Sequence, residues 1–188
     1  ELIKNKYFEY DPDIYKDIHT LKEKIQKIDD LKVFKNEIDI LDRKITFFHA
    51  KLIETLKIKN DTIIGFHGQT IYHNPDEKVS RQLGNGKLLH QLTKKNVVFD
   101  FRRNDIQNGG QGAPLTPLFH HLLTKQNEIK LPVCFLNIGG ISNITIVKDK
   151  DNLSKLISRD IGPGNCLIDN WVRKNSNKKF DENGNISK

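Results

Sequence analysis

From residue 61 onward, short β-rich runs alternate with glycine-rich polar turns, and this alternation limits the fold more than any other feature of the chain. Residues 62–66, 97–101, 133–138, 144–147 and 156–161 are rich in Val, Ile, Leu and Phe and read as strands. The run 97–101 reads as a buried one. Residues 87–93, 115–123 and 165–174 read as helices, and 67–70 and 108–114 as loops. Gly139-Gly140 makes the tight turn of a β-hairpin between 133–138 and 144–147, and Gly162-Pro163-Gly164 breaks the last strand. Strands alternating with helices, with loops at their ends, indicate an α/β architecture. Ligands of open α/β sheets bind at strand ends, so the turns are where chemistry is sought.

The first 60 residues are different in texture. Ile14, Ile18, Leu21 and Ile25 fall at spacings of three and four, on one face of a helix over 11–27 that Asp11-Pro12 starts well. Ile38, Leu41, Ile45, Phe48, Leu52 and Leu56 repeat the pattern over 36–57. Both helices read as packing elements without chemistry. The polar stretch 124–130 is the best candidate for a domain boundary.

Several classes of function are disfavoured by composition. No apolar run approaches the ~20 residues that span a bilayer, and residues 1–10 are mixed and charged, unlike a secretory signal. The formal charge is +7, but the lysines are scattered among Asn and Ile with no basic stripe interleaved with aromatics, which argues against nucleic acid. Cys134 and Cys166 lie in apolar surroundings without CxxC spacing and read as reduced, buried thiols of a reducing compartment, the cytoplasm. No Cys/His cluster has structural-zinc spacing. The chain lacks Met and begins at Glu1, so it is expected to be a fragment of a longer protein.

Four clusters carry candidate chemistry. In the first, Gly65-Phe66-His67-Gly68-Gln69-Thr70, glycines flank three different hydrogen-bonding side chains; an ordinary turn with a capped His would also account for it. The second is Asp100-Phe101-Arg102-Arg103-Asn104-Asp105 followed by Gly109-Gly110-Gln111-Gly112-Ala113-Pro114. Arginine forks match phosphate oxygens in pairs, though such a group can also be a surface ion-pair network. The third, Asn137 to Ile144 around Gly139-Gly140, is a hairpin turn whose successive backbone N–H groups suit an anion. It lacks the Gly-x4-Gly-Lys-Ser/Thr pattern, which excludes a P-loop fold. The fourth, Asp160-Ile161-Gly162-Pro163-Gly164-Asn165, sets a carboxylate at a strand end before a helix, placed to act as a base, while Asn165 is the better helix cap.

Taken in order, GFHGQTIYH, DFRRNDIQNGGQGAPLTPLFH, NIGGISNIT and DIGPGNCLIDNW, with FDENGNIS after them, resemble the motif series of the anhydro-N-acetylmuramic acid kinases. The resemblance covers roughly residues 60–188; the first 60 fit by helical character alone. It implies an actin-like ATPase fold of two ribonuclease-H-like α/β domains, only partly covered by this chain. Residues 1–125 would be the remainder of the first domain, with sugar-site loops, and 126–188 the start of the second, with a phosphate hairpin. The first phosphate loop of the family, a Gly-Thr-Ser-x-Asp-Gly type turn, is absent, and family members are nearly twice this length, so the chain alone is expected to be inactive.

The implied reaction uses ATP and Mg2+ to open 1,6-anhydro-N-acetylmuramic acid with water and phosphorylate O6, giving N-acetylmuramic acid 6-phosphate in cell-wall recycling. By motif position Asp160 is the implied base, with Asp105 its competitor. His67, Gln69, Thr70, Arg102, Asp105, Gly110, Gly112 and Pro114 fall on the sugar side. Asn137, Gly139, Gly140, Ser142 and Asn143 fall on the phosphate side. No metal ligand can be named. The implied partners are the amino sugar and ATP, with neither nucleic acid nor membrane, and a homodimer is left open. The rival readings are a hexose kinase of the same superfamily and an inactive truncated fragment.

Overall fold

The computed structural model describes residues 5–188. The chain divides into two compact units, one ending at Ala113 and the other running from Pro114 to Lys188.

The first unit is organised by two helices, α1 (Pro12–Lys24) and α3 (Lys35–Leu56), joined through the short α2 (Asp30–Val33). Proline starts α1 because its fixed φ suits the first helical turn and its missing N–H has no partner to lose there. The expected stripe of α1 is buried in full and that of α3 over its first half: Ile14, Ile18, Leu21 and Ile25 meet Ile38, Leu41 and Ile45 in one core with Phe66, Ile71, Leu83 and Leu89, while Phe48, Leu52 and Leu56 are only half-buried. Each such side chain contributes about 1.5–3 kcal/mol on full burial. The turn between α1 and α2 is held by Asp30, whose carboxylate accepts from the N–H groups of Gln26 and Lys27 at 2.9 and 3.0 Å.

Strands β1 (Ile63–Phe66) and β4 (Asn96–Phe99) pair in parallel. Between them in sequence come the antiparallel hairpin of β2 (Gln69–Asn74) and β3 (Val79–Leu83) and the helix α4 (Gly86–Thr93). Two expectations need correction here. The loop assigned to 67–70 is shorter, because Gln69 and Thr70 already pair with Leu83 and Gln82. The run 97–101 is not a buried strand: β4 ends at Phe99, Phe101 opens the helix α5 (Phe101–Gln107), and Val98 is 50% exposed. Ile64 and Val97 pack on the core while Ile63 and Val98 face outward. An apolar run buried on one face has the composition of one buried on both.

The second unit is an antiparallel sheet in the order β5 (Val133–Ile138), β6 (Ile141–Val147), β7 (Ile157–Pro163), with α6 (Thr116–Gln126) packed on β6 and α7 (Cys166–Asn175) following β7. The polar stretch 124–130 does not coincide with the division between units, because Pro117, His121 and Thr124 of α6 are buried in the second one. Strand β7 continues through Gly162 and Pro163, which pair with Ser142 and Ile141. Proline is tolerated because β7 lies at an edge of the sheet, where its missing N–H breaks no ladder. The cysteines also differ from expectation: Cys134 is exposed on β5 and Cys166 half-buried, since an apolar neighbourhood in sequence does not choose a strand's inner face. Among the described residues no helix is long and apolar enough to cross a membrane.

Candidate functional site

In the first unit, parallel pairing brings the ends of β1 and β4 together. Phe66 is the partner of Phe99, so His67 and Asp100 leave neighbouring strands at the same end. Helix α5 then carries Arg102 back towards His67. Its Nε and Nη2 approach His67 Nε2 at 3.2 and 2.9 Å, and its Nη1 donates to the carbonyl of Gly112 at 2.7 Å. Guanidinium has only donors, so His67 Nε2 must accept, and Nδ1 carries the proton that it donates to the Gly68 carbonyl at 2.9 Å. His67 is thereby set in one tautomer and one orientation. Burial pulls the Arg102 guanidinium below its usual value, and it remains a cation. Burial, and then the Arg102 charge, also lower His73 on β2, whose Nδ1 lies 3.0 Å from Ser80 Oγ.

Asp105 closes the chain of contacts. Its carboxylate accepts from the Gly112 N–H at 2.7 Å, and its carbonyl from the Gly110 N–H at 2.8 Å. A Cβ at Gly110 would overlap that carboxylate. At Gly112, with φ +68°, a Cβ would stand 2.7 Å from the buried Ile106. The glycines let the loop wrap the carboxylate, and the loop then presents the Gly112 carbonyl to Arg102.

Beside this network lies a hollow of about 600 Å³ whose walls include Arg81, Asn85, Lys87, Asp100 and Arg103. A smaller one of about 100 Å³ reaches His67, Ser80 and Gln82. The β3–α4 turn is fastened from α3. Asp42 pairs with Arg81 and accepts from the Gly84 N–H at 2.8 Å, and Thr46 Oγ1 accepts from the Asn85 N–H at 2.9 Å. Asn85 caps α4 by accepting from Leu88 at 3.0 Å. Gly84, at φ +109°, and Gly86 lie so close to the rings of Phe66 and Phe99 that neither has room for a side chain. Arg81, Asn85 and Lys87 were missed in the sequence. The signal that could have found this wall is Asn74-Pro75-Asp76 followed by the alternation of Val79, Arg81 and Leu83, a hairpin pattern ending in Gly84-Asn85-Gly86.

Of the proposed sugar-side residues, the structure joins His67, Arg102, Asp105, Gly110 and Gly112. Gln69 and Thr70 stand on β2, where Thr70 Oγ1 accepts from Gln82 at 3.3 Å. Pro114 is exposed at the start of the second unit.

In the second unit the third and fourth clusters meet. The carbonyl of Gly139 accepts from the Asn165 N–H at 2.8 Å, and that of Gly140 accepts from Gly164 and Cys166 at 2.9 and 3.3 Å. A side chain at Gly164 would overlap the Gly139 carbonyl. Asn165 occupies the start of α7, but its side chain makes no capping bond; the backbone contact to the hairpin serves instead. Asn137 faces Asn143 across the hairpin, and Asn143 faces Asp160 on β7. Between Ser142 and Asn143 the register shifts, leaving Ile161 as an extra residue on β7. Such a bulge turns the strand and re-aims neighbouring side chains. Gly162, at φ +150°, allows it. Asp160 is exposed there, and no hydrogen bond to its carboxylate is found among the described residues.

A sequence profile described as anhydro-N-acetylmuramic acid kinase matches residues 2–188, nearly the whole chain. The chain belongs to the anhydro-N-acetylmuramic acid kinase family. Among curated relatives, the anhydro-N-acetylmuramic acid kinase of Pelagibacter ubique (strain HTCC1062) is 56% identical over 191 residues, covering 100% of this chain and 50% of the relative. That of Agrobacterium fabrum is 37% identical over 186 residues, covering 95% and 49%. That of Brucella canis is 41% identical over 152 residues, covering 77% and 40%. The chain spans about half the length or less of these family members.

Proposed function

We propose that the full-length protein is a kinase that uses ATP to open 1,6-anhydro-N-acetylmuramic acid and phosphorylate its O6, yielding N-acetylmuramic acid 6-phosphate and ADP for cell-wall recycling in the cytoplasm. Its fold would be the actin-like ATPase fold, with the sugar loops in the first unit and a phosphate hairpin in the second. Membership of the family supports the substrate.

One observation in the second unit carries the nucleotide reading. Neither Gly139 nor Gly140 has positive φ, and among the described residues a Cβ at either would meet nothing closer than 3.6 Å. The hairpin itself therefore has no need of glycine at these two places. Close approach of an external group does, and phosphate oxygens meeting backbone N–H groups are such a group. Asn137, Ser142 and Asn143 flank the turn. For Mg2+ the chain offers less. Among the described residues no group of three or more His, Cys, Asp or Glu is placed to hold a metal, so no residue is assigned to it and no step is routed through it.

In the proposed chemistry, Asp160 takes a proton from water as the water oxygen bonds to C1. The C1–O6 bond breaks, O6 attacks the γ-phosphorus, and the bond to ADP breaks. Asp105 is the weaker candidate, because its carboxylate is already engaged by Gly112.

Asp160→Asn in the full-length protein should keep ATP binding and lose at least ~10²-fold in the chemical step, the lower end of general-base effects. Turnover in oxygen-18 water should label C1 of the product at early times and leave the phosphate unlabelled. Normal turnover of Asp160→Asn beside a dead Asp105→Asn would transfer the role to Asp105. Absence of C1 label would refute the hydrolytic opening.

A further inference from the structure

We propose that Asp100 is a ligand-binding carboxylate of the first unit's hollow, accepting a hydrogen bond from a hydroxyl or amide N–H of the sugar. This rests on the reading that the protein binds such a sugar.

Three observations lead there. The first is conformational. Asp100 has φ +60° and ψ +45°, the left-handed region, where glycine rests without penalty and a residue with a Cβ does not. Asp tolerates this region better than most, usually because its side chain serves the local backbone. The second observation removes that explanation. Asp100 occupies the N-cap position of α5, yet its side chain makes no capping bond. The helix would lose nothing through glycine here, since Gly is itself an acceptable N-cap.

The third observation is where the carboxylate stands. It lines both the large and the small hollow, at the C-terminal end of a parallel strand and beside the end that carries His67. Ligands of open α/β sheets bind at such ends. One oxygen, Oδ2, is 2.8 Å from Arg103 Nη2, on the next turn of α5. Arg103 is mostly exposed, so this pair adds little to stability. It does steady the carboxylate and leaves Oδ1 to accept from a ligand. A strained residue whose side chain neither caps nor stabilises, and which faces a hollow, is retained for what enters that hollow. A carboxylate only accepts, so its complement is a donor, and the hydroxyl and acetamido N–H groups of an amino sugar supply donors.

The experiment is done on the full-length protein with 1,6-anhydro-N-acetylmuramic acid as probe, by calorimetry without nucleotide, beside thermal unfolding. Asp100→Gly should raise the midpoint of unfolding or leave it unchanged, keep ATP binding, and weaken the sugar at least about tenfold, the effect of one lost charge-assisted hydrogen bond. Asp100→Asn, of the same shape and similar tolerance for positive φ, should weaken the sugar less, because its amide oxygen still accepts. Sugar affinity within twofold of wild type in both variants, with wild type binding normally, would overturn this assignment and leave the proposed function standing. A fall in midpoint together with loss of both ligands would make Asp100 a structural residue and overturn it equally. If the wild-type protein fails to bind the sugar, both readings fall together.

Discussion

Gly112→Ala is the sharpest test of the loop that joins Asp105 to Arg102. Two costs can be separated. Gly112 has φ +68°, and an alanine there pays the left-handed penalty of about 1–2 kcal/mol. Its Cβ would also sit 2.7 Å from Cδ1 and Cγ1 of Ile106, which is 2% exposed and cannot swing away. Forcing a methyl into packed surroundings adds about 1–3 kcal/mol. The total, about 2–5 kcal/mol, is a large share of the stability of an ordinary domain. Gly109, in the same loop, is the control. Its φ is +88°, yet among the described residues nothing lies within 4 Å of its would-be Cβ, so Gly109→Ala should cost the conformational part alone. The assay is urea unfolding of the full-length variants followed by far-ultraviolet circular dichroism. Gly112→Ala should lose clearly more than Gly109→Ala. Equal losses would mean that Ile106 yields without cost, and the account of a loop clamped between Asp105 and the core would be wrong.

Two further outcomes follow from the same geometry. Arg102→Lys in the full-length protein should reduce kcat/KM at least about tenfold with little change in thermal midpoint, because one ammonium cannot serve both His67 and the Gly112 carbonyl as the fork does; an unchanged kcat/KM would remove Arg102 from the site. Burial lowers His49, which packs edge-on to Phe66 and donates from Nδ1 to the Ile45 carbonyl at 2.9 Å. The unfolded chain then binds the proton more readily than the fold, so stability is full above the ordinary histidine range near ~6.5 and declines as pH falls from there towards the folded value. The urea midpoint should drop between pH 7.5 and 5, and His49→Gln should flatten part of that slope; an identical slope in the variant would refute the assignment.

The sequence by itself determined what depends on near neighbours along the chain. The stripe from Ile14 to Ile25 and its counterpart from Ile38 to Ile45 specify two helices and the faces they bury, because helical period alone selects a side. The apolar runs 133–138 and 144–147 on either side of a short polar turn specify a hairpin, and the order of the four motifs specifies the family. The tertiary structure decided the rest. Arg102 meets His67, 35 residues away, and the Gly84-Asn85 turn is held by Asp42 and Thr46, 42 and 39 residues away. Which face of β4 or β5 meets the core, and so whether Val98 and Cys134 are exposed, was decided by what packs against each strand. Composition records that a strand is apolar, and alternation records that its faces differ. Neither records which distant segment supplies the donor, the carboxylate or the covering side chain, because such contacts form only when the chain closes on itself and leave no period behind in the sequence.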